Sequence, residues 1–286
     1  MTDLQSFVRE QYSRGLINDA YIDKFTDSSS MKVYRSAFTH RTYEPIVGEV
    51  IEEHQERLEF LGDVVVNHVV AWHIHDRFPT IQSVKWLTRI KHNLISKKTL
   101  GMMAYEAGFE KHIRYGSKMK ECIRENPDIT SNVDYLSMLE DTFEAFMAAI
   151  VKAVNRHMGG CGGYEVARRI LDSFLNVHDI SLDPKKVFDA ITRLKELYES
   201  KNLGIKWPIA QAYRKTKLEN GNFEVIVYGW PQGDRKPVFQ NRVQLCRIIG
   251  RTKDDTSQAA AEKAIEILER TYRISELPPN PYKDKK

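Results

Sequence analysis

Two short segments of the chain hold acidic side chains at helical spacing. Glu56, Glu59 and Asp63 are three and four residues apart, so on a helix they share one face. Asp141 and Glu144 are three residues apart and share a face in the same way. Apolar residues flank both groups, and carboxylates set into an apolar helix are costly unless a partner compensates them. A divalent cation is one such partner, because Mg²⁺ prefers hard oxygen ligands.

Spacing alone leaves a second interpretation open. Arg57 stands next to Glu56, and ordinary salt bridges between acidic and basic residues on helices are common. The same acids could also cap neighbouring helices. A metal site and a set of structural ion pairs are therefore both compatible with these positions, and the surrounding residues must decide between them.

The elements that must position the acids are predicted to be helices. Residues 1–178 carry apolar residues at helical spacing and show no sustained period-two alternation. Long helices are predicted over residues 55–75 and 134–157, with one or two more over residues 84–107. The glycine-rich run at residues 159–163 predicts a loop between the last two helices.

The pattern changes near Ser181–Pro184, which predicts a second domain over residues 183–273 and a flexible tail over residues 274–286. Asn220-Gly221 is typical of a tight hairpin turn. The predicted order is one helix, three strands and one helix. These elements are predicted over residues 184–201, 207–216, 223–229, 243–250 and 256–272.

The charge distribution and the cysteines restrict the class of protein. The formal net charge is +4, but acidic residues outnumber basic ones before residue 183, and basic residues outnumber acidic ones after it. A basic region suits a polyanionic partner, and an acidic region suits metal ions. The cysteines are widely spaced and form no CxxC pair. With no secretory signal and no long apolar run, we expect a soluble, intracellular protein of the cytoplasm without a membrane partner.

The residues around the acids resemble a known family. The segments ERLEFLGD at 56–63 and LEDTFEAF at 139–146 resemble the two signature segments of the ribonuclease III family. The segments at 36–43 and 87–109 are similar to the early and middle helices of the same family. The resemblance implies an all-α endonuclease domain over residues 1–178, in an architecture with one ribonuclease III domain and one double-stranded RNA-binding domain.

The resemblance also implies the role of each acid. By position, Glu59, Asp63, Asp141 and Glu144 are the implied catalytic carboxylates and ligands of Mg²⁺, with Mn²⁺ as a substitute. Glu56 matches a further family acid that is near the site and less central. A cation held there activates water and stabilises the leaving oxygen of a phosphodiester.

Two other residues of the first segment have implied structural roles. Phe60 matches the aromatic residue that inserts into the partner subunit, which implies a homodimer. Ordinary core packing is the alternative for this side chain. Gly62 is expected to permit a close contact between helices.

Residues 183–272 resemble a double-stranded RNA-binding domain, an α+β module of the order αβββα. Such modules recognise the shape of A-form RNA through 2′-hydroxyl and phosphate contacts. Glu196 and Lys253 match the family's RNA-contacting positions, and Arg235 and Lys236 are further candidates. The second lysine that the family usually has near Lys253 is replaced by Asp254. A contact with another protein is the alternative role of this module.

Together these features predict an endoribonuclease of the ribonuclease III type. It is expected to hydrolyse double-stranded RNA with Mg²⁺ and to leave 5′-phosphate and 3′-hydroxyl ends with short 3′ overhangs. The alternative is a catalytically silent relative that acts as a dimerising RNA-binding or assembly subunit. Silent relatives usually lose one or more acids, and all four are present here.

Overall fold

The described residues of a computed structural model fall into two compact units, divided between Ile180 and Ser181. The structure describes residues 3–49, 53–160, 162–199, 212–229 and 242–272. No helix among these residues is both long enough and apolar enough to cross a lipid bilayer.

The first unit is built from α-helices and one short 3₁₀ turn at Phe109–Lys111. Side-chain caps mark several helix starts, as when Asn132 accepts a hydrogen bond from the backbone of Tyr135. In chain order the helices are α1 (Asp3–Arg14), α2 (Asp19–Phe25), α3 (Ser28–Ala37), α4 (Glu56–Arg77), α5 (Val84–Leu94), α6 (Lys97–Glu106), α7 (Ser117–Glu125), α8 (Val133–Met158) and α9 (Gly162–Leu175).

Helix α8 forms the centre of the first unit. Its residues from Thr142 to Ile150 are all buried, as expected for a helix that is apolar on most of its circumference. Phe143 and Phe146 contact the ring of Phe109 at centroid distances of 5.5 and 5.3 Å, and Phe38 extends the same aromatic cluster. The acids Asp141 and Glu144, which lie within α8, are therefore fixed by a well-packed helix of the unit.

Gly62 brings α4 and α8 into direct contact. A Cβ atom at this position would overlap the backbone carbonyl of Glu144, so only glycine allows the two backbones to approach this closely. The expectation of a close helix contact at Gly62 is confirmed. Gly101 of α6 has a similar role, because its Cβ would lie 2.8 Å from the carbonyl oxygen of Leu136 in α8.

Buried hydrogen bonds fix the start of α4. Gln55, immediately before the helix, is 1% exposed, and its amide oxygen accepts a hydrogen bond from the Thr142 hydroxyl at 3.0 Å. Its backbone N–H donates to the carbonyl oxygen of Thr39, also at 3.0 Å. The first turn of α4 is therefore tied to α8 and to the end of α3.

The second unit contains a three-stranded antiparallel sheet and helices that pack on it. Leu194, Val225, Val227 and Ala264 belong to its apolar core, which lies between the sheet and the helices. Tyr213 pairs with Val227, and the register between the second and third strands shifts after that residue. The elements are α10 (Pro184–Val187), α11 (Ala190–Glu199), β1 (Tyr213–Lys217), β2 (Phe223–Gly229), β3 (Val243–Gly250) and α12 (Lys253–Tyr272).

The predicted elements of the second unit need three corrections. The helix expected over 184–201 is interrupted, because Phe188 is extended and the Asp189 carboxylate accepts a hydrogen bond from the Thr192 backbone at the start of α11. The strand expected over 207–216 begins at Tyr213 within the described residues. The last helix begins at Lys253, three residues before its expected start.

The hairpin turn is confirmed. Gly221 has a φ of 82°, which favours glycine, and the Leu218 N–H donates to the Asn222 carbonyl oxygen at 2.8 Å. The predicted glycine-rich loop is shorter than expected, since α9 begins at Gly162. The predicted tail at 274–286 lies outside the described residues.

Candidate active site

The contact at Gly62 places the acids of α4 beside those of α8. Glu59 and Asp63 lie on α4 on either side of Gly62, and Glu144 provides the backbone that the glycine meets. The electrostatic interactions of Glu144 extend to Glu59, Asp63 and Asp141, and each of them raises its pKa. Residues more than seventy positions apart in the chain thus form one acidic cluster, the four-carboxylate cluster of Glu59, Asp63, Asp141 and Glu144.

Burial raises the pKa of three carboxylates of this cluster, Glu59, Asp141 and Glu144. Glu144 is 8% exposed, and desolvation together with its acidic neighbours raises its pKa to about 8. Desolvation, followed by the charge of Glu140, raises the pKa of Asp141 to about 6. The pKa of Glu59 is also raised, chiefly by desolvation and then by Asp141. Asp63 is exposed at the edge of the cluster.

Glu140 is a residue of the site that the sequence did not single out, and Lys97 lies beside it. Desolvation raises the pKa of Glu140, and the nearby charge of Lys97 lowers it. The Lys97 ammonium lies 3.6 Å from the Glu140 carboxylate and donates a hydrogen bond to the Ser137 hydroxyl at 2.8 Å. Lys97 also lowers the pKa of Glu59 and Asp141, so one cation partly offsets the negative charge.

Glu56 lies farther out than the other acids of α4. Its side chain is 57% exposed, and it faces the Arg41 guanidinium at 3.8 Å. An exposed ion pair of this length contributes little to stability. Arg41 nevertheless lowers the pKa of Glu59 and Asp141 and so lies near the cluster.

The residues of the cluster suit a hard divalent cation. The donors are carboxylate oxygens, which Mg²⁺ and Mn²⁺ accept, and a buried acid surrounded by like charges calls for positive charge. No three His, Cys, Asp or Glu side chains within the described ranges lie close enough to share one ion as placed. The fit of a divalent cation to this cluster therefore rests on the carboxylate donors and on their uncompensated negative charge.

The remaining candidate residues lie on other surfaces. Phe60 is 73% exposed on α4, so core packing does not account for it. In the second unit Glu196 is partly buried on α11, and Lys253 is exposed at the first residue of α12. Arg235 and Lys236 lie outside the described residues.

The acidic start of α12 has a structural cause. The Thr252 hydroxyl accepts a hydrogen bond from the Asp255 N–H at 3.2 Å and donates one to the Asp255 carboxylate at 2.6 Å. The Thr252 side chain therefore caps the start of the helix, and acidic residues also favour the first turn of a helix electrostatically. Asp254 and Asp255 therefore suit the helix start, although they reduce the positive charge there.

Comparison with known proteins bears directly on this cluster. Residues 56–153, which include all four of its carboxylates, match the family model described as Ribonuclease III domain. The chain contains a ribonuclease III domain. The matches confirm the resemblance to this family and the enzyme class that the two acidic segments predicted.

Relatives of the ribonuclease III family match most of the chain. A putative ribonuclease 3 of Frog virus 3 is 30% identical over 91% of this chain, which spans 62% of that relative's length. A putative ribonuclease 3 of Invertebrate iridescent virus 6 is 26% identical over 98% of the chain and 92% of the relative. A ribonuclease 3 of Streptococcus uberis is 25% identical over 88% of the chain and 96% of the relative.

Proposed function

We propose that this chain is an endoribonuclease that hydrolyses phosphodiester bonds in double-stranded RNA with Mg²⁺. The observation that carries the proposal is the four-carboxylate cluster at the contact of α4 and α8, with Glu144 buried among like charges. Its position inside the matched ribonuclease III domain supports the same function.

The cluster suits the charge problem of phosphodiester hydrolysis. Negative charge develops on the phosphoryl oxygens and on the leaving 3′ oxygen, and a bound divalent cation supplies a Lewis acid there and an activated water. Glu59, Asp63, Asp141 and Glu144 would hold that cation. The α8 backbone keeps Asp141 and Glu144 in place, and the Gly62 contact fixes α4 against them. We propose products with 5′-phosphate and 3′-hydroxyl ends and short 3′ overhangs, as the family resemblance implies.

An exposed apolar row on α4 supports a homodimer. Phe60, Val64 and Trp72 recur at multiples of four residues, so they lie on one face of the helix, and they are 73%, 56% and 54% exposed. Leu61 is 47% exposed beside them. Exposed apolar side chains grouped on one face mark an interaction surface. Because this face adjoins the acids of the same helix, pairing through it would set two clusters near one RNA duplex.

The second unit supports a role in RNA binding. Its three-stranded sheet with packed helices is consistent with a double-stranded RNA-binding domain, and Lys253 is exposed at the start of α12. We propose that this unit holds the duplex by its shape and phosphates, with Glu196 and Lys253 as contacts. Arg235 and Lys236 remain candidates for the same surface.

Cleavage of long double-stranded RNA with Mg²⁺ tests the catalytic proposal. The wild-type protein should shorten the RNA. Glu144→Gln should lower the rate by a factor on the order of 100–1,000, because it removes a carboxylate that would hold the cation stabilising transition-state charge. Glu121→Gln, an exposed change on α7, should cut at the wild-type rate. The end groups are read by ligation and by sequencing of the products.

Two results would contradict the catalytic proposal in different ways. A folded wild-type protein that leaves double-stranded RNA intact across Mg²⁺, Mn²⁺ and salt concentrations refutes the nuclease and favours the silent assembly subunit. Equal cutting by wild type and Glu144→Gln refutes only the site.

Sedimentation of the full chain tests the homodimer. A charge at Phe60 would be buried without a partner in a dimer interface, so Phe60→Glu should sediment as a monomer at concentrations where wild type is dimeric. Val177→Glu places the same charge on an exposed apolar residue outside the α4 row. If both variants sediment like wild type, the α4 row is not the interface.

A further inference from the structure

Asp63 is the exposed member of the four-carboxylate cluster, so packing alone does not fix its carboxylate. A hydrogen bond from Asn67, one helical turn farther along α4, fixes the carboxylate. The Asn67 amide nitrogen donates to the Asp63 side-chain oxygen at 2.8 Å and to the Asp63 backbone carbonyl at 3.0 Å. Two contacts on one residue hold the amide and the carboxylate in a fixed relation.

Lys91 holds the other end of the same amide. Its ammonium group, on helix α5, donates to the Asn67 side-chain oxygen at 2.9 Å. Helix α5 is itself anchored, because Trp86, Ile90 and Leu94 are all buried, and Ile90 is next to Lys91. The contact therefore runs from a packed helix through Asn67 to Asp63.

An amide suits the position between Lys91 and Asp63. A lysine only donates hydrogen bonds and an ionised carboxylate only accepts them, whereas an amide does both at opposite ends. Because Lys91 must meet the oxygen of Asn67, the NH₂ group is left to face Asp63. An aspartate at position 67 would keep the contact with Lys91 and repel Asp63.

We propose that Asn67 and Lys91 are positioning residues that hold the Asp63 carboxylate in the orientation needed to bind the divalent cation. Neither residue touches the substrate in this role. The inference rests on the proposed function, because it assigns Asp63 to a metal site. Groups that orient metal ligands typically change metal affinity by about 10- to 100-fold when they are removed.

Binding of Mn²⁺ to the full-length protein, followed by electron paramagnetic resonance without RNA, tests the proposal apart from catalysis. Asn67→Leu keeps the side-chain size and should weaken binding by roughly 10-fold or more. Lys91→Met should weaken binding less than Asn67→Leu. Lys91→Arg, which keeps a hydrogen-bond donor at this position, should bind Mn²⁺ like wild type. Lys152→Met, an exposed change on α8, is the matched control and should bind like wild type.

A double variant and an activity measurement sharpen the test. If Lys91 acts through Asn67, adding Lys91→Met to Asn67→Leu should cause little further loss, because residues in one hydrogen-bond chain are not additive. The Mg²⁺ concentration for half-maximal cleavage should rise for Asn67→Leu, with a smaller change in the rate at saturating Mg²⁺. Circular dichroism confirms that each variant is folded, and Lys91→Met provides the test if Asn67→Leu is not.

The outcomes separate this proposal from the nuclease function. If wild type binds Mn²⁺ and cuts RNA while Asn67→Leu and Lys91→Met bind Mn²⁺ equally well, the positioning role is refuted and the nuclease stands. If wild type neither binds Mn²⁺ nor cuts RNA, both proposals are refuted.

Discussion

The four-carboxylate cluster of the first unit contrasts with the paired acidic residues of the second unit. In the first unit Glu144 and Asp141 lie among other acids, and desolvation and like charges raise the pKa of both. In the second unit Glu224 accepts a hydrogen bond from Arg247 at 2.7 Å, and Glu266 pairs with Lys263 at 2.8 Å. The hydrogen bond from Lys263 lowers the pKa of Glu266.

This difference distinguishes acids that serve the fold from acids that serve chemistry. A paired carboxylate is stable as the anion and contributes to the folded state. A carboxylate buried among others opposes folding at neutral pH and is retained only if something else requires it. The excess of negative charge at the α4–α8 contact is therefore the clearest functional feature of the chain.

Neutralising one acidic residue in each unit should give the largest difference between the units, in cleavage rate and in stability. Asp141→Asn should lower cleavage by a factor on the order of 100–1,000. It should also raise the melting temperature of the metal-free protein at pH 8 by about 2–4 °C, the shift expected for about 1 kcal/mol. Glu224→Gln should leave cleavage unchanged and lower stability by about 1–2 kcal/mol, because it weakens a charge-assisted bond. Cleavage assays and calorimetry with chelator measure both effects, and a loss of stability in Asp141→Asn would contradict the comparison.

The pH dependence of stability should show the same contrast between Glu144 and Glu266. Glu144 has a pKa of about 8 in the folded chain against 4.5 for the free side chain, so the folded state binds the proton more tightly. Its contribution is complete below about pH 4.5 and is lost as the pH rises through about 8. Glu266, with a lowered pKa, contributes above pH 4.5 and loses that contribution in acid.

Melting of the metal-free protein between pH 5 and pH 9 measures this dependence. Stability should fall across the range, and Glu144→Gln should reduce the slope. Added Mg²⁺ should also reduce it, since a cation favours the ionised acid. A slope that is the same in wild type and Glu144→Gln would show that Glu144 does not titrate as its surroundings predict.

The smallest expected effect concerns the basic residues of the second unit. Lys253→Ala should weaken binding to duplex RNA a few-fold and reduce the dependence of log affinity on log salt by about one. Lys263→Ala removes a lysine that is already paired with Glu266 and is the control. RNA binding is measured by fluorescence anisotropy over a range of salt concentrations. Equal binding by the two variants would show that Lys253 is not an RNA contact.

The sequence predicted the long helices and the shared faces of the acids. Helical periodicity is a local property, so α4 and α8 begin and end within two residues of their expected limits. The interruption at Phe188 was missed because the cap by Asp189 competes with a continuous amphipathic pattern. The hydrogen bonds between Thr252 and Asp255 at the start of α12 were likewise missed, because the comparison with the family's lysines concerned the neighbouring Asp254.

Contacts between distant segments were the part that could not be predicted. Lys97 and Lys91 approach the acids from α6 and α5, and no periodicity links them to α4 or α8. The contact between Asn67 and Asp63 could have been predicted, because the two residues are four positions apart and such pairs face each other on a helix. Its neutral side chain gave no sign of a role until the lysine opposite it was known.

Gly62 has a consequence for the design of this site in another protein. Copying the four acids onto another pair of helices would not reproduce the site, since their separation depends on how near the two helix axes come. Gly62, which has no side chain, therefore sets the spacing of the carboxylates, and a designed copy of the site would need five residues. The fifth is Gly62, which leaves room for the backbone of Glu144.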